Sequence, residues 1–201
     1  MKQPRRSGRH ALGAGAAYLL LTLPPVRHWL EASMASHMLV QMPLLVALGM
    51  VAVRLLPAGR RRRLRNGFGG PLACLTAATF ASAYWMLPRA LDAAIGEPLA
   101  EFAKFVSLPL LVGLPLALAW ESFGLIGRGF VWTNLISMQV FLGWLYVAAP
   151  LRVCNNYLVD DQLRVGWLLI TLAGLLFAGW LGALFRGAPA SRTEAPMYKT
   201  A

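Results

Sequence analysis

The chemistry-bearing residues of this chain gather in one short stretch. Met34, His37, Met38 and Gln41 are spaced i, i+3, i+4 and i+7, which is one stripe of a helix, and Met42 follows Met38 by four. Thioether and imidazole groups together select soft copper, Cu(I) in particular. The stripe is therefore a candidate Cu(I) site with Met34, His37, Met38 and Met42 as ligands. The same residues also suit packing, because Met fills irregular gaps and a single His near a helix end is often a hydrogen-bonded interface residue.

The elements that must hold this stripe follow from composition. The chain has 201 residues, of which 58% are hydrophobic and 13% charged. Its mean hydropathy is +0.57. Soluble domains carry roughly a quarter charged residues, so lipid is the solvent expected here. A helix needs about 20 apolar residues to cross the hydrocarbon. On that basis the expected fold is all-α, a polytopic transmembrane bundle of about six spans. They fall near 11–23, 36–56, 68–87, 99–120, 130–149 and 163–185. The first is short and stops at Pro24-Pro25. It could be taken for a signal peptide, but the nearest small-residue site, Ser33 and Ala35, lies beyond that break. A retained span or half-span is the expectation.

Charge orients the bundle. Lys2, Arg5, Arg6 and Arg9 precede the first span, and Arg54, Arg60, Arg61, Arg62, Arg63 and Arg65 follow the second. Arg128 follows the fourth, and Arg186, Arg192 and Lys199 follow the sixth. Fourteen of the 19 Lys and Arg residues thus fall on one side. The positive-inside rule makes that side cytoplasmic, with both termini there. The domain reading is a basic cytoplasmic N-terminus over 1–10, one six-helix transmembrane domain over 11–185, and a mobile cytoplasmic tail over 186–201. The expected location is a bacterial inner membrane, crossed several times.

This topology carries the stripe to the outer face, where Met86, Cys154 and His28 also fall. Met86 and Cys154 join the candidate metal ligands. Asp161 and Gln162 are placed to close over the stripe and orient His37 from behind, as Gln41 is from within it. Asp160 or Asp161 would otherwise cap the last span. Lys104, about one turn inside the fourth span, is expected to pair with Glu101 on the same helix face. Pro109 and Pro115 should bend that span and leave carbonyls without helical donors. Met50, Met138 and Cys74 lie away from the cluster and read as packing. A disulfide between Cys74 and Cys154 is not expected, since they fall near opposite faces.

Several function classes rank low on these grounds. The net charge of +11 sits in short loops and termini, where it sets topology and meets anionic lipid, so no nucleic acid is expected as a partner. No nucleophile has a base at useful spacing and no Gly-rich phosphate loop enters a helix, so an enzyme is not expected. A small transporter would need a continuous polar path, and the intramembrane charges lie only near the outer end.

Three segments in order carry a family likeness. They are His37-Met38-Leu39-Val40-Gln41, then Trp85 to Pro88 with Asp92, then Asp161-Gln162 with Gly166. In these the chain resembles the multi-span CtaG family of cytochrome c oxidase assembly factors, whose patterns are His-Met-x-x-His, Trp-x-Leu-Pro-x-x-x-Asp and Asp-Gln-x-x-x-Gly. The resemblance implies an inner-membrane factor needed to assemble a haem–copper oxidase, handling Cu(I) on the periplasmic face. Its partners besides the lipid bilayer would be an oxidase subunit or a periplasmic copper chaperone. Two departures matter. Gln41 stands where the family has its second His, and the fourth span holds no His at all. The alternative is a metal-free accessory or scaffold subunit of a respiratory membrane complex.

Overall fold

Proline stands first in the helices Pro24–Glu31, Pro71–Trp85, Pro88–Gly96 and Pro98–Trp120. The first helical residue has no intrahelical use for its N–H, and the ring presets φ, so each proline starts a helix where it would break one further in. The computed structural model describes residues 4–149 and 152–186, with side chains from residue 11 onward. The described residues are helical, with no strand among them. The helices are α1 (Pro4–Thr22), α2 (Pro24–Glu31), α3 (Met34–Arg54), α4 (Ala58–Gly67) and α5 (Pro71–Trp85). Then follow α6 (Pro88–Gly96), α7 (Pro98–Trp120), α8 (Leu125–Ala148) and α9 (Val159–Arg186).

Four of these, α3, α7, α8 and α9, are long and apolar enough to cross a membrane. The apolar part of α1, Ala11–Thr22, and the 15-residue α5 are shorter. Large apolar side chains such as Trp167, Leu175, Phe177 and Phe185 on α9 stand exposed, as suits a lipid-facing surface. Two expected boundaries shift. The arginine-rich segment expected as a loop is itself helical, as α4, and Arg186 ends α9 instead of opening the tail. Lys2, Arg192 and Lys199, and with them the tail over 187–201, lie outside the described residues.

The prolines inside α3 and α7 have a local consequence. Met42 N–H bonds to His37 O and Leu114 N–H bonds to Pro109 O, each five residues back, so both helices contain a wide π-type turn. Each such turn ends two residues before a proline, Pro43 or Pro115. A proline ring clashes with the carbonyl four residues behind it, and the wider turn moves that carbonyl aside. Pro109 in turn has no N–H for the Phe105 carbonyl, and Tyr18 of α1 supplies the missing donor at 3.0 Å.

Close approach then locks the pairs. A Cβ on Gly49 of α3 would collide with the Pro109 carbonyl, and one on Gly113 of α7 with the Val46 carbonyl. A Cβ on Gly166 of α9 would lie 2.9 Å from the Gly143 carbonyl of α8. Backbones touch at both crossings, the packing that small residues allow between membrane helices. The main core runs from Leu21 and Leu30 through Met34, Met38, Met42 and Leu45 to Tyr146, Val165 and Leu169. A smaller core around Val53, Cys74, Leu118 and Phe123 fills the other end.

Candidate functional site

The site lies where α2, the start of α3 and the start of α7 meet. Lys104 is fully buried, as are His37 and Gln41. An ammonium has three donors, and here each has an acceptor. Lys104 Nζ lies 2.5 Å from Glu31 Oε1, 3.2 Å from Gln41 Oε1 and 3.3 Å from His37 Nε2. Gln41 Nε2 closes a ring by donating to the same Glu31 oxygen at 3.1 Å.

The network also settles the His37 tautomer. The Tyr157 hydroxyl donates to the Glu31 backbone carbonyl at 3.1 Å, which can only accept. Its oxygen, 2.9 Å from His37 Nδ1, must then take the imidazole proton. Nε2 is left bare and accepts from Lys104. Burial first, then the nearby Glu31 charge, push the Tyr157 phenol well above the usual tyrosine range, which keeps this donor protonated.

Local sequence explains how the elements present these groups. Ser33 caps α3 by accepting the Ser36 N–H at 3.2 Å, which starts the helix just ahead of His37. The π-type turn His37–Gln41 has its first and last residues buried. Arg27 and Glu31 are four apart on α2, and Glu101 and Lys104 three apart on α7, so each pair shares a helix face. The faces meet as reciprocal ion pairs, Arg27 with Glu101 and Lys104 with Glu31. This corrects the expected local pair of Glu101 with Lys104. The two cations and two anions cancel, which is the condition under which buried charge is tolerated.

A second set of polar contacts closes the turn between α8 and α9. Gln162 accepts the Val153 N–H at 2.8 Å and donates to the Tyr146 carbonyl at 3.2 Å. Asp92 of α6 accepts the Asn155 and Asn156 N–H groups at 2.7 and 3.1 Å. Neither Gln162 nor Asp161 orients His37; Tyr157 and Lys104 do, because they reach its two nitrogens. Asp160 and Asp161 lie in the first turn of α9, where the helix dipole favours negative charge.

The candidate ligands divide. Met34, Met38, Met42 and Cys154 are buried in the main core with His37 beside them, and Met86 packs at its margin. His28 is exposed on α2. Cys154 Sγ lies 3.8 Å from both the Tyr146 hydroxyl and the Pro88 carbonyl. Burial pushes its thiol up to about 11, against a smaller lowering by the Tyr146 hydrogen bond. As arranged, His37 is not free to join the sulfur groups as a Cu(I) ligand. Both His37 nitrogens are spent, one on Tyr157 and one on an ammonium that would face any bound cation. Among the described residues no three of His, Cys, Asp and Glu converge.

Sequence reasoning missed Glu31, Tyr157 and the role of Asp92. Glu31 had a signal, since it is an acid four residues from Arg27 beside a predicted interface. Tyr157 had none beyond its place near the outer loop. Compared with family models, curated proteins and solved structures, the chain shows no match.

Proposed function

We propose that this chain is a metal-free accessory or scaffold factor of a bacterial inner membrane, crossing it six times with both termini inside and serving the assembly of a haem–copper oxidase. The single observation that carries the metal-free reading is the closed network around Lys104, in which His37 has no lone pair left for a metal. Four long apolar helices support membrane residence, and on this reading α1 and α5 would make the two shorter crossings that an even count requires. The oxidase role rests on the three motif segments. Within them His37, Asp92 and Gln162 hold the α2–α3–α7 cluster and the α8–α9 turn together, so what the motifs share on this reading is the architecture of the outer end.

The test is deletion of the chain in its host, followed by reduced-minus-oxidised spectra of the membranes. The proposal expects loss of the haem–copper oxidase signal, restored by wild type and by His37→Asn alike. Restoration by wild type but not by His37→Asn, with that variant stably inserted, would point to copper chemistry instead.

A second reading, Cu(I) handling, is favoured by the shared core that holds Met34, Met38, Met42 and Cys154, with the buried His37 next to Met38 in the chain. Competition with a chromophoric Cu(I) chelator separates the two. Stoichiometric binding lost on Met38→Leu supports copper; no retained copper supports the scaffold.

A further inference from the structure

At the arginine-rich end an open groove of about 670 Å³ runs between α5 and the start of α8. Its walls include Leu72, Leu75 and Phe80 on one side and Phe123, Ile126 and Phe130 on the other. The Thr76 hydroxyl, also on the wall, donates to the Leu72 carbonyl and so is satisfied within its own helix. The groove follows α5 from Pro71 to Phe80. At 1.5 Å per residue that is roughly 14 Å, about half of a ~30 Å hydrocarbon core. Its length therefore matches one leaflet.

The helix that leads into the groove is basic. Gly69 and Gly70, at φ +90 and +95, turn the chain from α4 straight into Pro71. Arg61 and Arg65 of α4 are anchored to Glu121 and Ser122, at 2.9 and 2.5 Å, just before the groove residue Phe123. Arg60, Arg62 and Arg63 remain exposed on α4. Arg128, next to the groove residue Gly127, is exposed and sits over the Trp120 ring. An apolar slot one leaflet deep, with guanidinium groups at its polar end, matches the two halves of one kind of molecule.

We propose that this groove binds an anionic phospholipid from the surrounding leaflet, one acyl chain in the slot and the phosphate on the exposed arginines of α4 and on Arg128. The proposal rests on the membrane part of the reading above and not on the oxidase role. Its test has no oxidase readout, so the two fail separately.

Native mass spectrometry of the full chain in detergent provides that test, with phosphatidylglycerol and phosphatidylcholine of identical acyl chains as probes. The expected result is one phosphatidylglycerol retained per chain, at least about tenfold tighter than phosphatidylcholine. Each exposed arginine near an anionic surface contributes roughly fivefold. The variant R60Q/R62Q/R63Q should therefore lose up to about 100-fold in phosphatidylglycerol affinity and most of the headgroup preference, Arg128 retaining the remainder. Thr76→Trp fills the slot from an exposed position and should abolish retention with every arginine intact. Leu72→Trp, also exposed, serves the same purpose if the first variant fails to fold. Equal retention of both lipids by wild type would overturn the proposal, as would full phosphatidylglycerol retention by folded Thr76→Trp. A lipid-free dimer that Thr76→Trp dissociates would assign the groove to a second copy and overturn it too.

Discussion

Lys104 of α7 and Glu31 of α2 meet at 2.5 Å across 73 positions of sequence. Their neighbours Glu101 and Arg27 meet beside them in the opposite sense. The crossed pairs fasten the short α2 to α7, and Gln41 ties it to α3. Glu31 is the hub, because one carboxylate oxygen accepts from both Lys104 and Gln41 while its backbone carbonyl accepts from Tyr157.

Removing one charge should cost more than removing both. Lys104→Met leaves Glu31 buried beside an apolar chain, at a cost of about 3–5 kcal/mol. Adding Glu31→Leu to that variant should recover at least half of it. Thermal unfolding of the detergent-purified protein measures both, and a double variant no more stable than the single one would refute the hub.

Tyr157→Phe deletes both hydrogen bonds of the phenol. The expected loss is about 1–3 kcal/mol. Nitrogen-15 spectra of His37 should show Nδ1 protonated in wild type and a tautomer change in the variant. Nε2 protonated in wild type would reverse the assigned network.

Cys154 should be a slow thiol. With its titration pushed up to about 11, little thiolate forms near neutrality, and the side chain is buried. Maleimide labelling at pH 7.5 should be far slower than for an exposed cysteine. Asp92→Ala, which releases the Asn155 and Asn156 N–H groups, should speed it at least several-fold. The folded thiol titrates above the unfolded one. Its contribution to stability is thus whole below about pH 9 and lost as pH climbs toward the folded value. The melting temperature should fall over that window, and fall less in Cys154→Ala.

Gly166→Leu should separate α8 from α9, since any side chain there meets the Gly143 carbonyl. The cost is about 1–3 kcal/mol. Gly174→Leu, two turns along the same helix with nothing within 4 Å, should be close to neutral. Equal effects at the two positions would deny the backbone contact.

Arg62→Cys and Asn156→Cys, both at exposed positions, should label from opposite sides of intact cells with an impermeant reagent. The first should react only after permeabilisation. Labelling of Arg62→Cys from outside would invert the topology.

Much of the helical layout was legible because apolar runs, arginine blocks and helix-starting prolines are local signals. The His37 and Gln41 stripe was legible for the same reason, since i, i+4 spacing implies a shared face. Its chemistry was not legible there. Ligand type is visible in sequence, but whether a lone pair is already taken depends on Lys104 and Tyr157, which arrive from other segments. The third span was drawn longer than its helix, because apolar composition continues past the residues that hold helical geometry, and the first was drawn shorter, because its helix begins in the basic segment before Ala11.

The amino-acid order alone determines that the chain is helical, that several of its helices are apolar enough to cross a membrane, and that its arginines fall in blocks. Those follow from composition and spacing, which act over a few residues. Tertiary structure alone decides who pairs with Lys104. Its own helix offers Glu101 one turn away, yet docking of α2 brings Glu31, His37 and Gln41 to all three of its donors. In a fully buried site, full satisfaction of an ammonium outweighs a nearer but single partner.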